Sequence, residues 1–226
     1  MPRRTLSPDA IVDAAIALTA RPGASGISGR ALGDELGVDR SAIWRHFADQ
    51  DELLRAVGDR LLRMSLDAVP GGLLPRERMN ALARALVRTF SAHPSIGALV
   101  AGRTTRGAGE LAVVEFTLRA LAEVGVPADR IAVQQRMIAD AMLGYAGLRA
   151  SQDLLPPELR RGDAQAWSGV YSAVSPTTHP AVATHVGGLA SVSDDDVLEA
   201  LLAALWTAVS SVVTETQRED RNDGHA

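Results

Sequence analysis

Arg40, Ser41, Ala42, Trp44, Arg45 and His46 fall within seven consecutive residues of the stretch 28–47, SGRALGDELGVDRSAIWRHF. Two guanidinium groups, a hydroxyl, a methyl, an indole and an imidazole make a poor catalytic set and a good recognition set. A guanidinium fork pairs with a guanine edge or a phosphate, a hydroxyl with either, and a methyl packs on the methyl of thymine. Enzyme constellations are missing from the chain. It has no cysteine and no lysine, so thiolate zinc sites, cysteine nucleophiles and the phosphate loop ending in Lys are excluded. No His-Glu-x-x-His or Glu-x-x-His pair occurs. His46, His93, His179, His185 and His225 are scattered, and neither a metal nor a cofactor is expected.

Two short helices joined by a tight turn would hold those groups out. Ser28 can cap the first through its hydroxyl, and Ala31, Leu32, Leu36 and Val38 supply apolar contacts. Gly37 stands where the chain must turn, a position that often demands a left-handed backbone. Asp39 caps the second helix, which is expected to run on through His46. Ile43 and Phe47, four apart, face inward and leave Arg40, Ser41, Trp44 and Arg45 outside. Such a helix fits the DNA major groove.

With these residues in view, the segment 7–62 resembles the DNA-binding domain of the TetR family of bacterial repressors. The matching run is GVDRSAIWRHFADQDELL, with the Gly-Val turn, an aromatic at Trp44, the His46–Phe47 pair and the Asp-Glu-Leu-Leu start of a fourth helix. The resemblance implies DNA contact for Arg40, Ser41, Ala42, Trp44, Arg45 and His46. Ser28 and Arg30, on the preceding helix, are within reach of phosphate or base. Trp44 stands where the family has Tyr, and is read either as a backbone contact or as packing of the small domain. His46 either closes the recognition helix or meets a phosphate. Gln50 replaces a phosphate-touching Lys, which removes one electrostatic anchor. Arg3 and Arg4 either reach phosphate and the minor groove or form a solvated tail.

The chain has 226 residues, 46% of them hydrophobic, enough for a sizeable core. Its net charge of −4 argues mildly against nucleic acid, but a DNA reader needs a local basic face, not a basic whole. No apolar run is read as long enough for a bilayer, and the N-terminus lacks the apolar stretch of a signal peptide, so a cytoplasmic protein with no membrane partner is expected.

Beyond the reader, nearly every periodic signal is helical. Ser7-Pro8-Asp9 starts a first helix with Ile11, Ala14, Ala15 and Leu18 as its stripe. Asp49 and Glu52 form a capping box for a helix through Leu53, Leu54, Val57, Leu61 and Leu62 to about Ala68. Further helices are expected from Pro75 to His93, over 95–101, over 105–125 with Leu111, Val114, Leu118 and Leu121 inward, and from Pro127 to about Ala150. The last carries two apolar stripes. Ile131, Ile138, Met142 and Tyr145 make one, and Val133, Met137, Ala141, Gly144 and Leu148 the other, which implies a neighbour on each side. Residues 154–180 are rich in Pro, Gly, Ser and Thr, with a short helix predicted over 164–174 and another over 180–189. Ser193 and Asp196 cap a strong helix over 197–214, with Leu198, Leu201, Leu202, Leu205, Val209 and Val212 on one side and a smooth face of Ala200, Ala203, Ala204, Ala208 and Ser211 on the other. Two such helices per subunit suit a four-helix dimer interface, and the resemblance implies the same.

The resemblance also places an effector pocket in the larger domain. Candidates are Met64, Leu86, Phe90, Val100, Arg103, Phe116, Met137 and Trp167, each of which can equally be core. Arg103 is either a solvated helix end or a cation for a polar ligand group. The tetracycline repressors proper hold a metal–drug chelate with His and Asn; Leu82, Leu86 and Val100 occupy the corresponding places here and cannot ligate magnesium. The expected effector is apolar or mixed, without metal.

The sequence therefore predicts an all-α protein. It has a three-helix helix-turn-helix domain over residues 1–62, a larger helical ligand-binding and dimerisation domain over 63–217, and a charged tail over 218–226. The expected function is that of a homodimeric repressor on a double-stranded palindromic operator, released by a small-molecule effector and not an enzyme. Two alternatives stay open: an activator or global DNA-binding regulator of the same fold without a pocket, and a helical enzyme or binding protein whose helix-turn-helix is a packing accident.

Overall fold

A computed structural model describes residues 6–21 and 27–223, with side chains as far as residue 218. Arg3 and Arg4 lie outside the described residues. Regular structure among the described residues is helical, without strands. Two compact units are formed, Met1–Leu154 with Val212–Ala226, and Leu155–Ser211.

The first unit contains α1 (Pro8–Thr19), α2 (Gly29–Leu36), α3 (Arg40–Ile43), α4 (Gln50–Asp67), α5 (Pro75–Ala92), α6 (Pro94–Val100), α7 (Ala108–Glu123) and α8 (Ile131–Asp153). Local chemistry sets most starts. Ser7 Oγ accepts from Ala10 N–H at 3.2 Å, Ser28 Oγ from Ala31 N–H at 3.1 Å, and Asp49 Oδ1 from Glu52 N–H at 2.8 Å. Ile11, Ala15, Leu32, Ile43, Phe47, Leu53 and Val57 make the core around α1–α4. Leu61, Leu86, Phe90, Ile96, Val100, Leu121, Met142 and Ala146 continue it through α5–α8. Helix α8 packs on both α5 and α6, and α4 on both α5 and α7. The crossing of α4 and α6 is close: a Cβ on Gly58 would lie 2.9 Å from Val100 Cγ1.

The second unit contains α9 (Pro157–Gln165), a 3-10 turn (Val170–Ala173), α10 (Pro180–Ser191) and the first part of α11 (Asp194–Asp223). Ser193 and Asp196 cap α11 reciprocally: Ser193 N–H donates to Asp196 Oδ2 at 2.9 Å, and Asp196 N–H to Ser193 Oγ at 3.1 Å.

Several expectations are corrected. The helix expected over 164–174 is α9, which ends at Gln165, followed by the 3-10 turn; Pro156 and Pro157 move the start upstream because proline suits a first helical turn. Of the stripe expected on α7, Leu121 is buried and Val114 and Leu118 are half-buried, but Leu111 is 72% exposed, and Thr117 and Ala120 join the buried side. Helix α11 does not stop at Thr214 but continues to Asp223, since the residues between carry no Gly or Pro to end it. Its buried side includes Trp206, which the leucine spacing alone did not pick out. Part of α11, Asp194–Arg218, is also long and apolar enough by length and composition to cross a bilayer, contrary to the sequence reading. An Ala, Leu and Val content suited to packing between helices passes the same test.

On α8, Gln134, Met142, Ala146, Gly147 and Ala150 are buried, while Val133, Gly144 and Leu148 of the second stripe are exposed. The smooth face of α11 is open as well, with Ala200, Ala203, Ala204 and Ser211 exposed.

Candidate nucleic-acid interface

The turn between α2 and α3 is built as its residues require. Gly37 adopts φ 65°, ψ 34°, and its N–H and that of Val38 both return to Gly33 O, closing the end of α2. Asp39 then accepts from Ser41 N–H at 2.7 Å and starts α3. The Ser41 hydroxyl and N–H hold the Asp39 carboxyl below the usual carboxylate range, helped by the Arg40 and Arg45 charges. The cap therefore stays ionised and keeps its grip on the helix start.

Helix α3 is shorter than the spacing predicted. It ends at Ile43, and the chain continues as a tighter turn in which His46 N–H donates to Ile43 O at 3.0 Å. Ile43 is fully buried and Phe47 5% exposed, and these two anchors fix the turn to the domain core. Ser28, Arg30, Arg40, Ser41 and Arg45 are exposed; Ala42, Trp44 and His46 are half-buried. Among the described residues no carboxylate forms an ion pair with Arg30, Arg40 or Arg45, whereas Arg21 is spent on Glu35 by two 2.8 Å bonds.

Trp44 packs within the small domain, one of the two readings the sequence left open. Its ring lies over the start of α2, where a Cβ on Gly29 would come within 2.7 Å of Cζ2, and the residue is half-buried. Gln50 holds two elements together. Its Nε2 donates to Ile27 O at 3.1 Å and ties the start of α4 to the residue that precedes Ser28 and α2.

The effector candidates separate into groups. Leu86, Phe90 and Val100 are buried, with Phe90 packed so closely on α6 that a Cβ on Gly97 would lie 2.8 Å from Phe90 Cβ. Met64 is 37% exposed, and Phe116 and Met137 are half-buried. Phe116 carries the Arg78 guanidinium over its ring at 5.5 Å, and Arg78 also bonds Glu123 at 2.7 Å, contacts with no signature in the sequence. Trp167 belongs to the second unit, where its ring meets Tyr171 at 4.8 Å.

Arg103 is neither buried nor left to solvent alone. Its guanidinium is engaged by Asp51 at 2.5 Å, on the first turn of α4, which Arg55 also pairs. The Arg103 bond, with Arg55 adding, holds the Asp51 carboxyl below its usual range. The bond ties α4 to the segment after α6.

Comparison with known proteins agrees with this architecture. The family model for bacterial regulatory proteins of the tetR family matches residues 11–57, and that for the tetracyclin repressor-like C-terminal domain matches residues 74–210. The HTH-type transcriptional repressor DrrR1 of Streptomyces coeruleorubidus is 26% identical over 169 residues, 74% of this chain and 62% of its own length. This chain thus spans somewhat under two thirds of that relative. A TetR transcriptional regulator from Streptomyces coelicolor superposes with a TM-score of 0.77 at 24% identity, over 92% of this chain and 100% of the other. ActR of the same organism, solved in complex with actinorhodin, gives 0.79 at 22% identity, over 94% and 99%. With a reader segment at one end and a matched C-terminal domain covering more than half of its length, the chain belongs to the TetR family of bacterial transcriptional regulators.

Proposed function

We propose that the chain is a homodimeric, effector-released repressor that acts in the cytoplasm on a palindromic double-stranded operator. The observation that carries this reading is the pair of exposed guanidinium groups of Arg40 and Arg45, in no ion pair among the described residues and held over the buried anchors Ile43 and Phe47. Arg40, Ser41 and Ala42 read base edges, Arg45 and Trp44 meet the backbone, Arg30 and Ser28 add contacts from α2, and His46 lies at the phosphate end of the turn. Arg3 and Arg4 extend the contact to phosphate or the minor groove. The reader portion gives way to the effector portion within α4, near Leu62.

The open face of α8 belongs to the subunit interface, where a second copy would cover the exposed Val133, Gly144 and Leu148. The open face of α11, with Ala200, Ala203, Ala204 and Ser211 exposed, is likewise one that a second copy would bury. The apolarity of α11 serves that contact. The effector is apolar or mixed and binds without metal among Leu86, Phe90, Val100, Phe116 and Met137, with Met64 at its margin. Support comes from ActR, solved with actinorhodin, and from DrrR1, a repressor by name. Release requires that the effector favour a form whose two readers no longer match the operator spacing. The test is enrichment of duplexes from a random pool by the full chain, followed by gel shift of the winning duplex. Failure to enrich any sequence overturns the reading, as does binding that survives loss of both Arg40 and Arg45.

A further inference from the structure

Two of the buried hydroxyls behind the reader are spent on their own helices. Ser65 Oγ donates to Leu61 O and Thr117 Oγ1 to Val113 O, both at 2.9 Å. Gln134 is different. It lies in the first turn of α8 and is 7% exposed in the single chain, yet its Oε1 is shut off from solvent and accepts no bond among the described residues. Folded chains rarely leave a buried amide oxygen unmatched, because the hydration it loses is not returned. Burial within one chain also means that a second copy does not supply the partner.

Apolar side chains border this amide. Met137 and Ile138, three and four residues on, share its side of α8 and are half-buried. A leucine or a methionine would suit that setting at the same helix propensity and without an unmatched oxygen.

A donor in the same condition stands at the same end of the bundle. Arg78, in the first turn of α5, has its guanidinium held by Glu123 at 2.7 Å and laid over Phe116 at 5.5 Å, while its Nε–H is buried without an acceptor. Glu123 is the last residue of α7, and the turn 124–130 leads from it into α8. At the other end of α8, a Cβ on Gly147 would run into Ala101 Cβ, just past α6, which continues from α5. Helices α5 and α8 thus pack side by side and run in one direction. Their starts bring an unmatched acceptor and an unmatched donor to the end of the bundle where Arg78 covers Phe116.

We infer that Gln134 is a ligand-contact residue and that the effector carries a hydroxyl group directed at its amide, with Arg78 as the second partner of that hydroxyl. The inference rests on the effector-released reading above and names the polar half of a mixed ligand. A hydroxyl fits because it both donates and accepts: its proton goes to Gln134 Oε1 and its oxygen takes the Arg78 Nε–H. Phe116 and Met137 receive the apolar body. An ether, which cannot donate, leaves Oε1 unmatched and is rejected for that reason.

The experiment uses matched probes of two sizes, naphthol with its methyl ether and phenanthrol with its methyl ether. They are titrated calorimetrically into the full-length wild type, Gln134→Met and Gln134→Leu. Methionine keeps the length and unbranched shape of glutamine and removes the amide. Leucine keeps the test open if the methionine variant does not fold. In the wild type at least one hydroxyl probe should bind about tenfold more tightly than its ether. In Gln134→Met the two should bind within about threefold of each other. Without any probe, that variant should melt about 2–4 °C above the wild type, since an unmatched buried oxygen is gone. A wild type that binds hydroxyl probe and ether alike overturns the assignment, as does a folded variant that keeps the tenfold preference. A variant that melts below the wild type also overturns it, the result expected of an amide that holds the fold through a resident water. Binding of neither series overturns the assignment and leaves the operator reading standing where the chain enriches a duplex. A wild type that enriches no duplex overturns the repressor reading and, with it, the effector assigned to Gln134.

Discussion

Thr19 Oγ1 and His93 Nδ1 lie 3.2 Å apart, one on the last turn of α1 and the other at the corner between α5 and α6, and both are buried. The Thr19 hydroxyl also donates to Ile16 O at 3.0 Å. With its proton used there, the imidazole is the donor from Nδ1, and the pair ties the reader to the core behind it. Burial holds the His93 pKa below its ordinary value of 6.5, against a smaller opposing pull from the Ile16 carbonyl.

A base with a depressed folded-state pKa makes stability fall on acidification. Above about pH 6.5 the ring is neutral in folded and unfolded chains alike, so the linkage is silent. Below it the unfolded chain takes up a proton that the folded chain refuses, and stability drops until the lower folded-state pKa is passed. The melting temperature should therefore decline as the pH falls below about 6.5. In His93→Gln, which keeps a donor without a titrating group, that part of the slope should flatten. An equal slope in both proteins would remove His93 from the account.

Arg40→Ala and Arg45→Ala should each weaken binding to the enriched duplex by roughly ten- to a hundredfold while leaving the helical circular dichroism unchanged. Arg21→Ala serves as the control. That guanidinium is already held by Glu35, and its loss should leave duplex affinity within about twofold. Fluorescence anisotropy against duplex concentration at one fixed salt concentration measures all three.

Gly37→Ala should destabilise by about 1 kcal/mol, because φ is 65° and an L side chain resists that region. No heavy atom lies within 4 Å of the added Cβ, so the cost is one of backbone alone. Gly37→Asn should recover part of it. Urea midpoints at constant slope separate the two variants.

Gly58→Ala forces α4 away from α6, since the new Cβ would sit 2.9 Å from Val100 Cγ1. Overpacking of this kind costs about 1–3 kcal/mol. Adding Val100→Ala should return much of the loss, because the second change empties the space the first one fills. Double-mutant unfolding that shows no coupling between the two sites would refute the contact.

Leu148→Arg on the exposed stripe of α8 should shift the chain toward monomer in sedimentation at micromolar concentration, with a matching loss of duplex affinity. The residue is 55% exposed in the single chain, so its folding should be little affected. A variant that stays dimeric places the interface elsewhere.

As a string of residues, the chain already determined where most helices begin and how the reader turns. Ser7, Ser28, Asp39 and Ser193 each satisfy an amide no more than three residues away, and Gly37 takes the left-handed backbone of its own position. Such interactions are local, so a short window contains both partners. The period of Ile43 and Phe47 likewise announced which side of the reader is buried. Tertiary structure decided the rest. It drew Arg103 onto Asp51, laid the Trp44 ring over Gly29, joined His93 to Thr19 across 74 residues, and gave α7 a cap from Asp59 across 50. A carboxylate, a cation or a glycine carries no mark of its partner along the chain. Which groups meet is settled only when several apolar stripes bury together and fix the crossing of α4 with α1, α6 and α7.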